Sequence, residues 1–263
     1  MAPSEWQLYR SYLRRHPAWL LIPGVIGFAS FAFVAQANLV IGIIFALATS
    51  FLALHLLRTE LRERIEGEFF AAYAASRGLA SEPLGLLPEG TPLPHDTSAR
   101  LARHVMRGEL PGGIEGLLAH HEHTPERTTF HFTVAVAPIG GPTGGVSRLS
   151  CRPRAFGGFF EPATDLLRLD QRRIAPLESE CLEDRSVFYV DEGQDENDVR
   201  QLLSPSFIIW LAEQAPSGFG FELEEGTLTG TISEYVRDPS ELDGLSEATA
   251  TVVRRIREEA AES

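Results

Sequence analysis

The stretch of sequence that decides the fold covers residues 17–57 and reads PAWLLIPGVIGFASFAFVAQANLVIGIIFALATSFLALHLL. It contains no Asp, Glu, Lys or Arg, and His55 is its one ionisable side chain. A membrane-spanning helix needs roughly 20 apolar residues, so this run is about twice the required length. One straight helix of this length would extend about 60 Å, whereas the hydrocarbon core of a bilayer measures about 30 Å. The run is therefore predicted to form a transmembrane helical hairpin, with helices over residues 18–35 and 39–57.

The turn of this hairpin is placed at Gln36-Ala37-Asn38, the most polar point near the middle of the run. Small residues let helix backbones approach closely in lipid. The second helix carries them at Gly42, Ala46 and Ser50, and the first carries them at Gly24, Gly27 and Ser30. These two surfaces are predicted to pack on each other.

Arginines flank both outer ends of the hairpin. They are Arg10, Arg14 and Arg15 before the first helix and Arg58, Arg62 and Arg64 after the second. Because positive residues mark the cytoplasmic side, a multi-pass protein of the cell membrane with both termini in the cytoplasm is predicted. The alternative is a secretory signal cleaved at Ala35-Gln36-Ala37, which would leave a chain that starts at Asn38.

Three regions follow from the composition. Residues 1–16 are predicted to form an interfacial helix, residues 17–57 the hairpin, and residues 58–263 a soluble cytoplasmic α+β domain of antiparallel β-hairpins packed with helices.

The net charge is −13, divided into +2 before Arg58 and −15 from Arg58 onward. An acidic body lacks the basic patch that phosphate binding requires, so nucleic acid is excluded as a partner.

Several elements are predicted in the third region. The second membrane helix is expected to continue to about Ser76, followed by a loop over residues 80–94 and a short helix over residues 97–106. Period-two alternation predicts a β-hairpin from residues 114–122 and 128–138. The remaining predictions are strands at 148–151, 166–169, 173–177 and 186–190, helices starting near Asp195, Ser204 and Asp238, and a hairpin of residues 219–223 and 227–232.

Much of the chain resembles a family of uncharacterised two-span bacterial membrane proteins. The residues that carry the resemblance are Phe70–Gly78, Leu87-Pro88, Thr91–Leu93, Gly108–Ala119, Leu177–Glu180, Phe188, Val190, Gln201–Leu211 and Gly218–Glu222. Members are typical of high-GC Gram-positive bacteria, which agrees with the use of arginine and no lysine. The resemblance implies the same architecture and no catalytic residue.

The strongest candidate for chemistry is the run His120-His121-Glu122-His123, with His131 on the paired strand. Imidazoles are good zinc ligands, and His121, His123 and His131 are the candidate metal ligands. If the hairpin is symmetric about Pro125-Glu126, His131 lies opposite His120. The alternative interpretation is a row of exposed histidines beside a turn.

The other candidate motifs match no known catalytic or ligand-binding pattern. Cys151 and Cys181 form neither a CxxC pair nor a zinc set, and reduced, inert thiols are expected in the cytoplasm. Gly193, Asp195 and Asp198 lack the spacing of a calcium loop. The glycine-rich stretch of residues 140–145 lacks a phosphate-binding motif. No catalytic residue and no cofactor is predicted.

Three functions remain open. The favoured one is a non-catalytic, membrane-anchored cytoplasmic domain that binds a protein partner of unknown identity or supports a membrane assembly, with the lipid bilayer contacted through residues 17–57. The second is a membrane-bound, metal-dependent hydrolase that uses the histidine hairpin. The third is a transporter or channel subunit, for which helices without charge are a weak basis.

Overall fold

The computed structural model describes residues 14, 17–34, 36, 38–91, 100–123, 129–141, 146–153, 172–174 and 185–262. This part of the chain forms two compact units, one within residues 1–72 and the other within residues 73–263. The predicted α+β class is confirmed. The predicted interfacial helix of residues 1–16 lies outside the described residues, apart from Arg14.

The first unit is helical. A 3-10 helix, Pro17–Leu20, precedes α1, Ile22–Val34, and α2, Leu39–Arg77, whose end from Tyr73 onward belongs to the second unit. Helix α2 begins at Leu39, directly after the predicted turn, and Asn38 caps it, because its Oδ1 accepts hydrogen bonds from the backbone N–H groups of Val40 and Ile41 at 3.0 and 3.3 Å. Among the described helices, α2 is long and apolar enough to cross a membrane, and α1 is a shorter apolar helix.

Helix α1 folds back along α2. The hydroxyl of Ser50 donates a 3.3 Å hydrogen bond to the carbonyl oxygen of Pro23. A Cβ atom on Gly27 would lie 1.9 Å from Ser50 Oγ and 3.3 Å from the carbonyl oxygen of Ala46. A larger residue at position 27 would force Ser50 to move and crowd Ala46, so glycine favours this close approach, as the pattern of small residues predicts. Gly24, predicted at the same contact, has no neighbouring atom within 4 Å of its Cβ position.

The second unit contains a nine-stranded sheet within the described residues, and every neighbouring pair of strands is antiparallel. The strands are β1 Ala80–Leu86, β2 Leu101–Leu110, β3 Ile114–His123, β4 Phe130–Pro138, β5 Arg148–Pro153, β6 Arg172–Ile174, β7 Ser186–Asp191, β8 Phe219–Glu224 and β9 Thr227–Ile232. Their spatial order is β1-β2-β3-β4-β9-β8-β5-β7-β6. The centre of the sheet thus joins β4 to a strand from much later in the chain.

Helices cover one face of this sheet. They are α3 Glu196–Leu202, α4 Pro205–Glu213 and α5 Pro239–Glu262. Helix α5 lies close to β9, since a Cβ atom on Gly230 would fall 2.1 Å from Thr249 Oγ1. On β2, β3 and β4 the opposite face carries a separate apolar cluster, formed by Leu87, Ala102, Val105, Leu117, Ala119, Val134 and Val136. Helices thus cover one face of the sheet, and on β2, β3 and β4 the other face contributes to this second apolar cluster.

Two of the predicted elements are wrong. The segment predicted as a loop over residues 80–94 contains β1, and the helix predicted over residues 97–106 overlaps β2. Pro83 suggested a loop, but β1 is an edge strand, where a missing N–H donor is tolerated. In β2, His104 adopts a φ of 50° within an irregularity between Arg103 and Met106, which removes the period-two alternation from the sequence.

The other predicted elements agree with the structure where it describes them. The hairpin of β3 and β4, strands β5 and β7, the three later helices and the β8–β9 hairpin all form. In the turn of the last hairpin, Glu225 and Gly226 both have positive φ, 48° and 76°, as a tight two-residue turn requires. The predicted strand at residues 166–169 lies outside the described residues, and only the start of the one at 173–177 is described.

Candidate functional site

The register of β3 and β4 places the predicted metal ligands. His131 pairs with Glu122, His121 with Phe132 and His120 with Thr133. Directly paired residues project from the same face, and successive residues alternate. His131 therefore shares a face with His120 and Glu122, whereas His121 projects from the opposite face. The expected pairing of His131 with His120 is displaced by two residues, and the side chain of His123 lies outside the described residues.

This arrangement bears on the metal hypothesis. Within the described ranges, no three or more His, Cys, Asp or Glu side chains are grouped so that they could hold a metal ion. A catalytic zinc site takes three protein ligands. The described residues thus lend no support to a site built from His121, His123 and His131, which remains a prediction.

A different set of aromatic and ionisable side chains does come together. We call His104, His120, Glu122, His131 and Tyr235 the His–Tyr cluster. The ring of His120 stacks on Tyr235 with a centroid distance of 4.3 Å and an interplanar angle of 14°. His104 meets His120 edge to face at 5.7 Å, and His131 lies 4.7 Å from the Tyr235 ring. Tyr235 is therefore held between two histidines of neighbouring strands.

Glu122 collects the polar contacts on the open side of the cluster. The Tyr235 hydroxyl donates a hydrogen bond to Glu122 Oε1. Arg103 Nη1 and His131 Nδ1 each lie 3.8 Å from the same oxygen. Arg103, Glu122 and His131 are all partly exposed, so solvent weakens the attraction between Arg103 and Glu122. The tyrosine hydroxyl fixes the position of the carboxylate more than the ion pairs do.

On the buried side of the cluster, hydrogen bonds hold the segment Glu234–Val236, which follows β9. The His120 Nε2–H donates to the carbonyl oxygen of Val236 at 3.1 Å. Thr133, paired with His120 across the strands, donates to the carbonyl oxygen of Glu234 at 2.7 Å and accepts from the Val236 N–H at 2.9 Å. These contacts determine the path of the chain from β9 into α5.

Burial sets the protonation of this site. Burial, with a smaller contribution from the neighbouring His104, lowers the pKa of His120 to about 3, because a buried imidazolium loses its hydration. A general acid or base works best with a pKa near the operating pH. His120 is neutral near pH 7 and has a structural role, in which its ring and its N–H hold Tyr235 and Val236.

Sequence reasoning did not single out His104 or Tyr235. Tyr235 lies more than 100 positions from Glu122, its hydrogen-bond partner (a separation of 113), so no local motif joins them. His104 was assigned to a helix, and the irregularity in β2 that turns it toward His120 leaves no periodic signal. His120 and His131 could be found from the alternation of the β3–β4 hairpin.

The remaining predicted groups are dispersed. Cys151 is buried, and burial raises the pKa of its thiol to about 12, which favours the protonated form over the nucleophilic thiolate. Cys181 lies outside the described residues. Asp195 acts as a helix cap, accepting a 2.8 Å hydrogen bond from the Asn197 N–H. Most of the glycine-rich stretch, residues 142–145, is not described.

Comparisons with known proteins give one distant likeness. No protein-family model and no curated protein matches the chain. The crystal structure of the mycobacterial trehalose monomycolate transport factor A, TtfA, is similar at 12% identity and a TM-score of 0.48, and the match covers 74% of this chain and 93% of that one. A TM-score below 0.5 at this identity does not establish a shared fold, and it carries no argument about the function of this chain.

Proposed function

We propose that the chain is an integral membrane protein with a helical-hairpin anchor and a cytoplasmic, non-catalytic module that binds a protein partner or supports a membrane assembly. The carrying observation is the apolar surface of the helical pair. Phe28, Phe33 and Phe51 are 74%, 84% and 74% exposed. Such surface is costly in water, at about 25 cal/mol per Å², and is stable in a hydrocarbon core.

The lengths of the helices support the hairpin. The apolar part of α2, residues 39–57, extends about 28 Å at 1.5 Å per residue. The 13 residues of α1 supply about 20 Å, and the preceding 3-10 helix adds about 8 Å. Both arms therefore approach the hydrocarbon thickness of about 30 Å. The fit of Gly27 against Ser50 supports packing of the two arms on each other.

Extraction and labelling test the anchor and its orientation. The chain should stay in the membrane fraction after an alkaline carbonate wash and leave it only in detergent. In a variant without Cys151 and Cys181, a membrane-impermeant maleimide should label Gln36→Cys on intact cells and spare Glu225→Cys, which should react after lysis. Release by carbonate contradicts the anchor, labelling of Glu225→Cys on intact cells contradicts the orientation, and a mature N-terminus at Asn38 contradicts the hairpin.

The protein-binding role rests on exposed leucines of the second unit. Leu84, Leu86 and Leu101 are 53%, 55% and 45% exposed, and Leu86 pairs directly with Leu101 across β1 and β2. Contiguous exposed apolar side chains are a feature of protein-interaction surfaces. A photocrosslinking residue at Leu86 should capture a defined protein in native membranes, whereas the same residue at Glu247, exposed on α5, should not. Equal capture at both positions contradicts this surface.

A further inference from the structure

Four side chains lie along one face of α2, at the point where the apolar run ends. Phe51, His55, Arg58 and Arg62 are separated by four, three and four residues, a spacing that brings them to one face of a helix. All four are exposed. We call this set the α2 strip, and it begins with an aromatic ring and continues into three nitrogen-bearing side chains.

The α2 strip is separate from the face that packs within the first unit. On that other face, Leu57, Leu61 and Ile65 are buried and contact Trp19. At about 100° per residue, the strip lies roughly a third of a turn from Leu57 and Leu61. The side chains of the strip are consequently directed to whatever surrounds the helical pair.

Ion pairing distinguishes Arg58 from the two arginines that follow it. Arg62 Nε lies 2.9 Å from Glu66, and Arg64 Nε lies 2.8 Å from Glu60. Among the described residues, Arg58 has no carboxylate within ion-pair distance. It is also the first cation after the apolar run. The strip therefore holds one uncommitted guanidinium at the level where an embedded helix would meet lipid headgroups.

We propose that the α2 strip binds one anionic phospholipid, an inference that rests on the proposed membrane anchor. Arg58 and His55 donate hydrogen bonds to the phosphate group, because a guanidinium fork matches phosphate oxygens. Phe51, one turn deeper in the apolar run, lies along an acyl chain. Arg62 adds positive charge beyond Arg58, although Glu66 shares it.

The positive charge of the α2 strip favours an anionic lipid over a zwitterionic one. A basic side chain at an anionic membrane surface contributes about 1 kcal/mol, which corresponds to about a fivefold preference. Beyond the α2 strip, residues 63–263 carry a net charge of −16, so their own field repels anionic lipid. A preference for anionic lipid would therefore reside in the α2 strip.

The test uses the full-length chain in nanodiscs of phosphatidylcholine with about one-fifth phosphatidylglycerol, followed by native mass spectrometry of the retained lipids. We expect phosphatidylglycerol to be enriched on the protein and Arg58→Gln to reduce that enrichment about fivefold. Arg64→Gln is the matched control, because Arg64 pairs with Glu60 and lies off the strip. His55→Gln should produce a smaller reduction than Arg58→Gln.

Three outcomes would overturn the inference. The first is equal retention of both lipids by the unaltered chain. The second is an equal loss of phosphatidylglycerol enrichment in Arg58→Gln and Arg64→Gln. The third is displacement of phosphatidylglycerol by millimolar inorganic phosphate, which would indicate a site for a free anion. Failure of the anchor is a separate result, since it appears as release of the chain by carbonate. A chain that stays in the bilayer without lipid preference contradicts only the α2 strip.

Discussion

The hydroxyl of Tyr73 donates a 2.9 Å hydrogen bond to Oδ1 of Asp243, although the two residues lie 170 positions apart. The Arg77 Nε–H donates to the same oxygen at 2.8 Å, and Arg77 Nη2 pairs with Oδ2. The hydrogen bond from Arg77 holds the pKa of Asp243 below its usual range, while burial, aided by Asp243, raises the pKa of Tyr73. One carboxylate therefore joins the last turn of α2 to the first turns of α5.

Asp243→Asn should destabilise the second unit by about 2 kcal/mol, the order expected for hydrogen bonds to a charged group at a partly exposed site. Tyr73→Phe should cost about 1 kcal/mol, because it removes one hydrogen bond and leaves the ion pair. Urea unfolding of the detergent-solubilised full chain, followed by circular dichroism, measures both. Equal losses in the two variants would contradict the central role of the carboxylate.

Stability should depend on pH through His120. Its pKa is about 3 in the folded protein, against 6.5 for a histidine free of such burial, so the unfolded chain binds more protons below pH 6.5. The contribution of His120 is complete above that pH and is lost as the pH falls toward 3, at up to about 1.4 kcal/mol per pH unit. At pH 5 the loss should be about 2 kcal/mol.

The control for this prediction is the difference in slope between variants. Urea unfolding between pH 7 and pH 5 should show a shallower pH dependence for His120→Gln, whatever its stability at pH 7. His131→Gln, a change on the exposed side of the cluster, should leave the steep dependence in place. If the slope survives in His120→Gln, another group is responsible for it.

Local sequence patterns were enough to predict some elements of this fold. The charge-free run of residues 17–57 and the polar turn at Asn38 predict the helical pair, since both depend on nearby residues. The alternation at Phe130, Phe132 and Val134 predicts β4 for the same reason. The order of the nine strands in the sheet could not be predicted from the sequence, because contacts between distant segments decide the pairing of β4 with β9.

The candidate site shows the same limit. His120 and His131 were found because they lie on one β-hairpin, but the partner that joins them, Tyr235, arrives from beyond β9. The predicted register was displaced by two residues, because the local sequence does not fix which residues of β3 and β4 pair. Burial, which sets the protonation of His120, is a property of the assembled sheet and helices.

Cys151 should be unreactive in the folded protein. A rise of its pKa from 9.0 to about 12 lowers the thiolate fraction roughly a thousandfold, and burial excludes the reagent as well. In a Cys181→Ser variant, a maleimide should give no labelling in mild detergent and one label per chain in denaturant. Rapid labelling under native conditions would show that the β5 region opens.

Gly27→Leu should disrupt the contact between α1 and α2, because even a Cβ atom there meets Ser50 Oγ. Gly24→Leu is the matched control, since its Cβ position has no atom within 4 Å. We expect the temperature at which half the detergent-solubilised protein aggregates to fall for Gly27→Leu and to stay unchanged for Gly24→Leu. Equal behaviour of the two variants would contradict close packing at Gly27.

The pairing of β4 with β9 also constrains how the chain is made. Thr133 and Ile232 are partners but lie about a hundred residues apart, a separation typical of slow, non-local folding. While the ribosome extends the chain, the edge of β4 that β9 will occupy has no partner. Until β9 has been made, the sheet stays incomplete, and β4 presents an open strand edge that is prone to aggregation.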